Sequence, residues 1–246
     1  MIPSFLTLED NGTFSIGVTL ASAIAIPATG IFALYAPTIS SLLKNNKLDE
    51  LNKKYKSTAT LLLFLGGVLF TCIALGIENL FHLLPNSKSL MDSVPIILIL
   101  GINVVINMAT SFNGEIITYS KYYRFNLIAI VLLIVLNVGL NIWFLKYLHL
   151  GLSWVAVASL LSMVVFNASK MIYIYVKFKL FPFDLKFLKL VLVLTSVFVV
   201  CYFLPTTPSK FFDLLYKTGL NLVLVTFVAY RLQLVKELNE IKFNKK

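Results

Sequence analysis

The chain has 246 residues, 59% of them apolar and only 13% charged, with a mean hydropathy of +0.88. A soluble domain of this size would be roughly one-quarter charged, and the apolar residues gather into runs of about 20, enough to cross a hydrocarbon core. The formal charge of +10 does not indicate a nucleic-acid binder, because the basic residues cap apolar runs and form no basic stripe interleaved with exposed aromatics.

Seven transmembrane helices are predicted in chain order, at 15–43, 57–81, 93–113, 124–145, 151–176, 187–204 and 212–231. The expected fold class is therefore an all-α membrane protein with a single membrane domain. Polar residues from Lys44 to Lys56, the Pro85-Asn86-Ser87 turn, and Pro205 and Pro208 punctuate the runs. The first span is rich in Gly and Ala and contains Pro27 and Pro37, which are expected to kink it. Small residues permit close helix approach, and a mid-span proline needs neighbours or water to satisfy the freed carbonyl. This helix is expected to pack on protein or line a cavity, whereas the sixth and seventh spans, rich in Leu, Val and Phe, are expected to face lipid.

Lys and Arg alternate between rich and poor loops. The rich ones are Lys44–Lys56, Lys121 with Arg124, Lys177–Lys189, and the tail from Arg231; the poor ones hold Lys88, Lys146 and Lys210. The positive-inside rule then places the C-terminus in the cytoplasm and the N-terminus outside. Residues 1–14 carry Glu9 and Asp10, no basic residue and no cleavage site, so they do not read as a signal peptide. An acidic outward leader before an odd number of spans is expected where an N-terminal portion is missing; the alternative is a complete protein with its N-terminus outside.

Polar residues fall on helical stripes at 100° per residue. Asn103, Asn107 and Thr110 share a face of the third span, and Asn126, Asn137 and Asn141 share a face of the fourth. Ser159, Ser162, Asn167, Ser169, Lys170 and Tyr173 share a face of the fifth. Two readings stand for the amides: interhelical hydrogen-bond glue, or the wall of a polar substrate cavity formed by Asn103, Asn107, Asn167 and Lys170. For Lys170 they are a functional intramembrane cation or a side chain snorkelling to the surface.

Covalent chemistry is not expected. His82 and His149 belong to no metal-binding His pair, and Gly151-Leu152-Ser153-Trp154 lacks the second glycine of an intramembrane serine-protease motif. No paired carboxylates, Asp-rich metal motif or phosphate loop occur; Glu78, Asp92, Glu115 and Asp184 are scattered over span ends and loops. Cys72 and Cys201 read as small apolar residues. No catalytic residue, metal or cofactor is expected.

Two stretches resemble a known family. The first runs from Glu9-Asp10-Asn11-Gly12-Thr13-Phe14-Ser15 into the Ala-rich helix, through Ala36-Pro37-Thr38-Ile39-Ser40 and on to Leu48-Asp49-Glu50-Leu51-Asn52-Lys53-Lys54-Tyr55. The second joins Ser120-Lys121-Tyr122-Tyr123-Arg124, Leu136-Asn137-Val138-Gly139-Leu140-Asn141, Gly151-Leu152-Ser153-Trp154 with the span after it, and Lys177-Phe178-Lys179-Leu180-Phe181-Pro182-Phe183. Together they resemble the C-terminal half of a bacterial polysaccharide flippase, in the MATE-like superfamily of multidrug, oligosaccharidyl-lipid and polysaccharide exporters.

The resemblance implies a lobe of five spans over 15–177, after a truncated extracytoplasmic leader at 1–14. Two additional spans would follow over 178–233, with a basic cytoplasmic tail at 234–246. It further implies residence in the bacterial cytoplasmic (inner) membrane and a lipid-linked glycan of the undecaprenyl-diphosphate type as substrate. The partners would be membrane lipids and a missing N-terminal lobe, in cis or in trans. The alternatives are a cation-coupled multidrug exporter of the same superfamily, or a polytopic membrane enzyme or scaffold whose active portion is missing.

Overall fold

A computed structural model describes residues 8–85 and 87–240, side chains at Leu8, Lys88, Ser89 and Glu240 excepted. The first half of the predicted leader and the last six residues of the predicted tail lie outside the described residues. The described chain is helical throughout: α1 (Leu8–Ala23), α2 (Ile26–Lys44), α3 (Leu48–His82), α4 (Ser87–Met91), α5 (Val94–Ala109), α6 (Asn113–Thr118), α7 (Arg124–Ile142) with a π-helical turn at Trp143–Tyr147, α8 (Ser153–Phe178), α9 (Leu185–Tyr202), α10 (Lys210–Arg231) and α11 (Lys236–Glu240). Six helices are long and apolar enough to cross a membrane: α2, α3, α7 with its π turn, α8, α9 and α10. The molecule is an all-α membrane protein.

Two predicted spans are interrupted. The first is divided at Ile24–Ala25, just before Pro27. Proline lacks an N–H and its ring opposes the carbonyl four residues back, so the local bonds tighten: Ile24 N–H donates to Ala21 O and Ala25 N–H to Ser22 O. Pro37 lies inside the unbroken α2. The third predicted span, 93–113, is the 16-residue α5, about 24 Å long at 1.5 Å per residue and short of a hydrocarbon core of about 30 Å. Ser111, at φ 54°, breaks the helix before α6 resumes it.

Helices also begin earlier than the apolar runs do. α1 starts at Leu8 and places Glu9 and Asp10 in its first turn; α3 starts at Leu48 with Asp49 and Glu50 there. Acidic groups suit the positive end of the helix dipole, so polar turns extend both helices beyond their apolar segments.

α5 lies between α3 and α8, α1 packs on α5, α7 flanks α8, and α9 and α10 pack on α3. The two C-terminal spans therefore share a core with α3: Leu63, Phe64 and Val68 meet Leu190 and Leu194 of α9 and Val225 and Ala229 of α10. Leu234 and Val235, at the start of the predicted tail, are buried in the same cluster. Close approach depends on glycine: a Cβ on Gly17 would stand 2.5 Å from Ile96 Cγ2, and one on Gly67 would stand 2.5 Å from Leu194 Cδ1.

The outer surface is apolar and several interior faces are polar. Leu127, Ile128, Val131, Ile134 and Val135 on α7, and Leu188 and Leu192 on α9, are exposed. On α8 the outward Ile172 is 64% exposed, while Asn167 and Lys170 on the opposite face are 1% and 6% exposed. Water would penalise that outward apolar surface; a lipid environment does not. One expectation is corrected here. α10 turns Leu222, Val223 and Phe227 outward but buries Asp213, Lys217 and Asn221, which follow one another at i, i+4 and i+8 on one face. The seventh span is therefore lipid-facing on one side and carries a buried polar row on the other.

Candidate functional site

The amide and hydroxyl groups around Asn167 meet where α5 breaks. Asn167 Oδ1 accepts from Thr110 Oγ1 at 3.1 Å and from Asn113 Nδ2 at 3.0 Å, on either side of the interruption. Its Nδ2 donates to Asn107 Oδ1 at 3.2 Å. Asn167, on the neighbouring α8, makes three side-chain links, to Asn107, Thr110 and Asn113, and so brackets the ends of α5 and α6, while the backbone N–H groups of Thr110 and Ser111 at the break stay bonded to Ile106 O and Met108 O.

Lys170, one turn further along α8, is 6% exposed. Its ammonium lies 3.9 Å from the centroid of Phe166, back toward the N-terminal side of its own helix and away from the Phe178 end. A Cβ on Gly114 would stand 3.5 Å from Nζ, so the cation rests against the first turn of α6. It makes no ion pair among the described residues. Glu115, on α6, is the carboxylate whose charge acts on it, beyond ion-pair distance.

The structure joins three of the four predicted cavity residues, Asn107, Asn167 and Lys170, around the α5–α6 break. Asn103 sits one turn earlier on α5; its Oδ1 is buried without a hydrogen-bond partner among the described residues. Asn107 remains open at its outer side. The stripe on α7 also reaches α8: Asn137 Nδ2 donates to Ser159 Oγ at 3.1 Å, and Asn141 Nδ2 folds back onto Asn137. Asn113 was not among the predicted residues because the apolar run ends at that position, yet it completes the Asn167 bracket.

A second polar cluster, also missing from the sequence reading, joins α10 to α3. Asp213 Oδ2 accepts from Asn79 Nδ2 at 2.7 Å and lies 3.5 Å from Lys217 Nζ, and Oδ1 accepts from Thr207 N–H at 3.0 Å. Further along, Asn221 Nδ2 donates to Thr71 Oγ1 at 2.9 Å and to Cys72 Sγ at 3.4 Å. The i, i+4, i+8 spacing of Asp213, Lys217 and Asn221 was the available signal.

The Lys-rich loops converge on one end of the bundle. Lys44, Lys121 and Lys177 line one cavity of about 560 Å³, and Phe181 N–H donates to Asn52 Oδ1 nearby at 3.4 Å. Asp213 at the start of α10 meets Asn79 near the end of α3, so α10 runs antiparallel to α3 and returns its own basic end to the same side. Among the described residues, no group of three or more His, Cys, Asp or Glu side chains is placed to hold a metal ion. No family model matches the chain, and no curated protein or solved structure matches it.

Proposed function

We propose that this chain is part of a membrane transporter that moves a lipid-linked oligosaccharide or polysaccharide precursor across the bacterial cytoplasmic (inner) membrane, with its Lys-rich end and C-terminus in the cytoplasm. The observation that carries this reading is Lys170: a buried cation with no carboxylate at ion-pair distance among the described residues, set against the α5–α6 break one turn from the Asn167 cluster. Ionisable groups inside membrane spans are costly and mark substrate paths, and transporters place substrate sites at discontinuous helices. A lysine suits a diphosphate as a point charge, and amides suit sugar hydroxyls.

The exposed side of α1 and α2 supports a second lobe, in cis or in trans. Ser15, Thr19, Ser22 and Thr29 are exposed, and each hydroxyl is turned back onto a carbonyl of its own helix. Gly30 and Ala33 share the exposed surface. Small and hydroxyl side chains of this kind suit helix contacts inside a membrane.

Cation-coupled drug export, the second reading, draws on Asp213, a carboxylate 2% exposed. Lys217 already supplies its countercharge, and Asn79 and Thr207 donate to it, which favours a clamp between helices over an exchangeable cation site. The test is surface glycan per folded molecule in cells that depend on the complete transporter. Lys170→Glu is expected to abolish export and Lys170→Arg to retain part of it. Unchanged export per molecule in Lys170→Glu would remove Lys170 from the substrate path.

A further inference from the structure

The basic cavity at the Lys-rich end has a chemistry of its own, apart from the Lys170 cluster. Its wall is assembled from three segments distant in sequence: the end of α2, the turn between α6 and α7, and the end of α8. They contribute Lys44, Lys121 and Lys177 to a concavity of about 560 Å³, and no carboxylate among the described residues lines it. The nearby acidic Glu50 is occupied by Lys47 at 2.9 Å. None of the three cavity lysines makes an ion pair among the described residues.

The lysines are held in place by local structure. Asn46 takes the left-handed conformation at φ 53° and closes the end of α2, with Asn46 N–H donating to Leu43 O and Lys47 N–H to Leu42 O; this cap fixes the rim that bears Lys44. The Tyr122 ring has Lys121 Nζ and Lys177 Nζ each 5.3 Å from its centroid. One aromatic face system thereby gathers two cations from different segments. The apolar part of the lining is Leu43, Leu48 and Phe178, which pack on a buried cluster that includes Ile39, Ile116, Ile117 and Ile174.

The outer rim marks the depth at which the cavity opens. Tyr119 lines the cavity and is 45% exposed, and Tyr123, in the turn that supplies Lys121, is 50% exposed; tyrosines of that exposure belong at the headgroup level of a bilayer. Three unpaired ammonium groups beside an apolar lining, at that depth, match a phosphate group attached to acyl chains.

We infer that the cavity between α2, the Tyr119–Tyr122 turn and α8 binds the phosphate headgroup of an anionic lipid from the leaflet at the Lys-rich end. This site holds whether or not Lys170 contacts a transported glycan, and its test does not depend on transport.

The experiment measures lipid binding to the purified full chain in neutral detergent by native mass spectrometry. The probes are short-chain phosphatidylglycerol, short-chain phosphatidylcholine and inorganic pyrophosphate. Phosphatidylglycerol is expected to bind and phosphatidylcholine is not. The triple variant Lys44→Gln/Lys121→Gln/Lys177→Gln is expected to weaken phosphatidylglycerol binding about 100-fold, as the loss of three interfacial cations implies. The control Lys53→Gln/Lys186→Gln/Lys189→Gln removes equal charge outside the cavity and is expected to cost under about 5-fold. Ser40→Trp changes no charge, fills the cavity from α2 and is expected to weaken binding as well.

Equal losses in the two triple variants, or full binding in Ser40→Trp, would show diffuse surface charge and overturn the site. Competition by pyrophosphate supports phosphate recognition. Binding of pyrophosphate without retention of phosphatidylglycerol would overturn the lipid assignment in favour of a soluble anion.

Discussion

Asn167 on α8 and Asn107 on α5 face each other amide to amide, with Nδ2 donating to Oδ1 at 3.2 Å. The same Asn167 oxygen holds Thr110 and Asn113 across the helix break. Its first role is therefore to lock α8 onto an interrupted α5–α6, and any sugar would be presented to the remaining open valences of Asn107.

That division of labour predicts a difference between the two amides. Asn167→Leu removes three interhelical links, each worth roughly 0.6 kcal/mol in a membrane interior, and should cost about 2 kcal/mol of stability. Asn107→Leu removes one and should cost under about 1 kcal/mol while reducing transport per folded molecule. Denaturant titration in mixed micelles, beside an export assay, checks both. Equal stability of the two variants would show that the bracket does not hold the break together.

The convergence of Lys-rich loops on one end gives a topology prediction. Reporters fused after Lys56, Arg124, Lys189 and Arg231 should all report the same side, and fusions after Lys88, His149 and Lys210 the other. The first set should be cytoplasmic by the positive-inside rule. The informative fusion is Arg124, because α5 alone is shorter than the hydrocarbon core and depends on α6 to complete the crossing. A periplasmic signal there would mean that α5 and α6 form a re-entrant segment.

Much of this arrangement is legible in the sequence because the bilayer exaggerates two signals. Apolar runs locate α3, α7, α8, α9 and α10, and the 100° stripe on α8 correctly separates the inward Asn167 and Lys170 from the outward Leu161, Val164 and Ile172. Three features stay hidden for physical reasons. Apolar content continues through Met108, Ala109 and Phe112, so nothing in hydropathy announces the break, which depends on Ser111 adopting a positive φ and on an amide from another helix. Pro27 and Pro37 look alike in sequence, yet only Pro27 accompanies an interruption. On α10, averaging over Leu, Val and Phe conceals one face on which two charges and an amide recur every four residues.

The Asp213–Lys217 pair predicts a non-additive mutant cycle. Both side chains are almost wholly buried, 3% and 9% exposed, at 3.5 Å, and two further donors, Asn79 and Thr207, converge on the carboxylate. Asp213→Asn preserves the size of the side chain but strands the Lys217 cation; because both groups line a cavity, the loss should be about 1–3 kcal/mol, that of a hydrogen-bonded charge. Lys217→Met leaves the carboxylate with its two neutral donors and should cost less. In the double variant neither charge remains, so its loss should be smaller than the sum of the single losses by at least about 1 kcal/mol. Because Asn79 belongs to α3 and Thr207 ties the exposed 203–209 connection to Asp213, the single Asp213→Asn change should also loosen the docking of α10 and free that connection for cleavage before the helices unfold. Additive losses, or a connection that stays resistant in Asp213→Asn, would mean that apolar packing around Val225 and Ala229 alone holds α10 on α3.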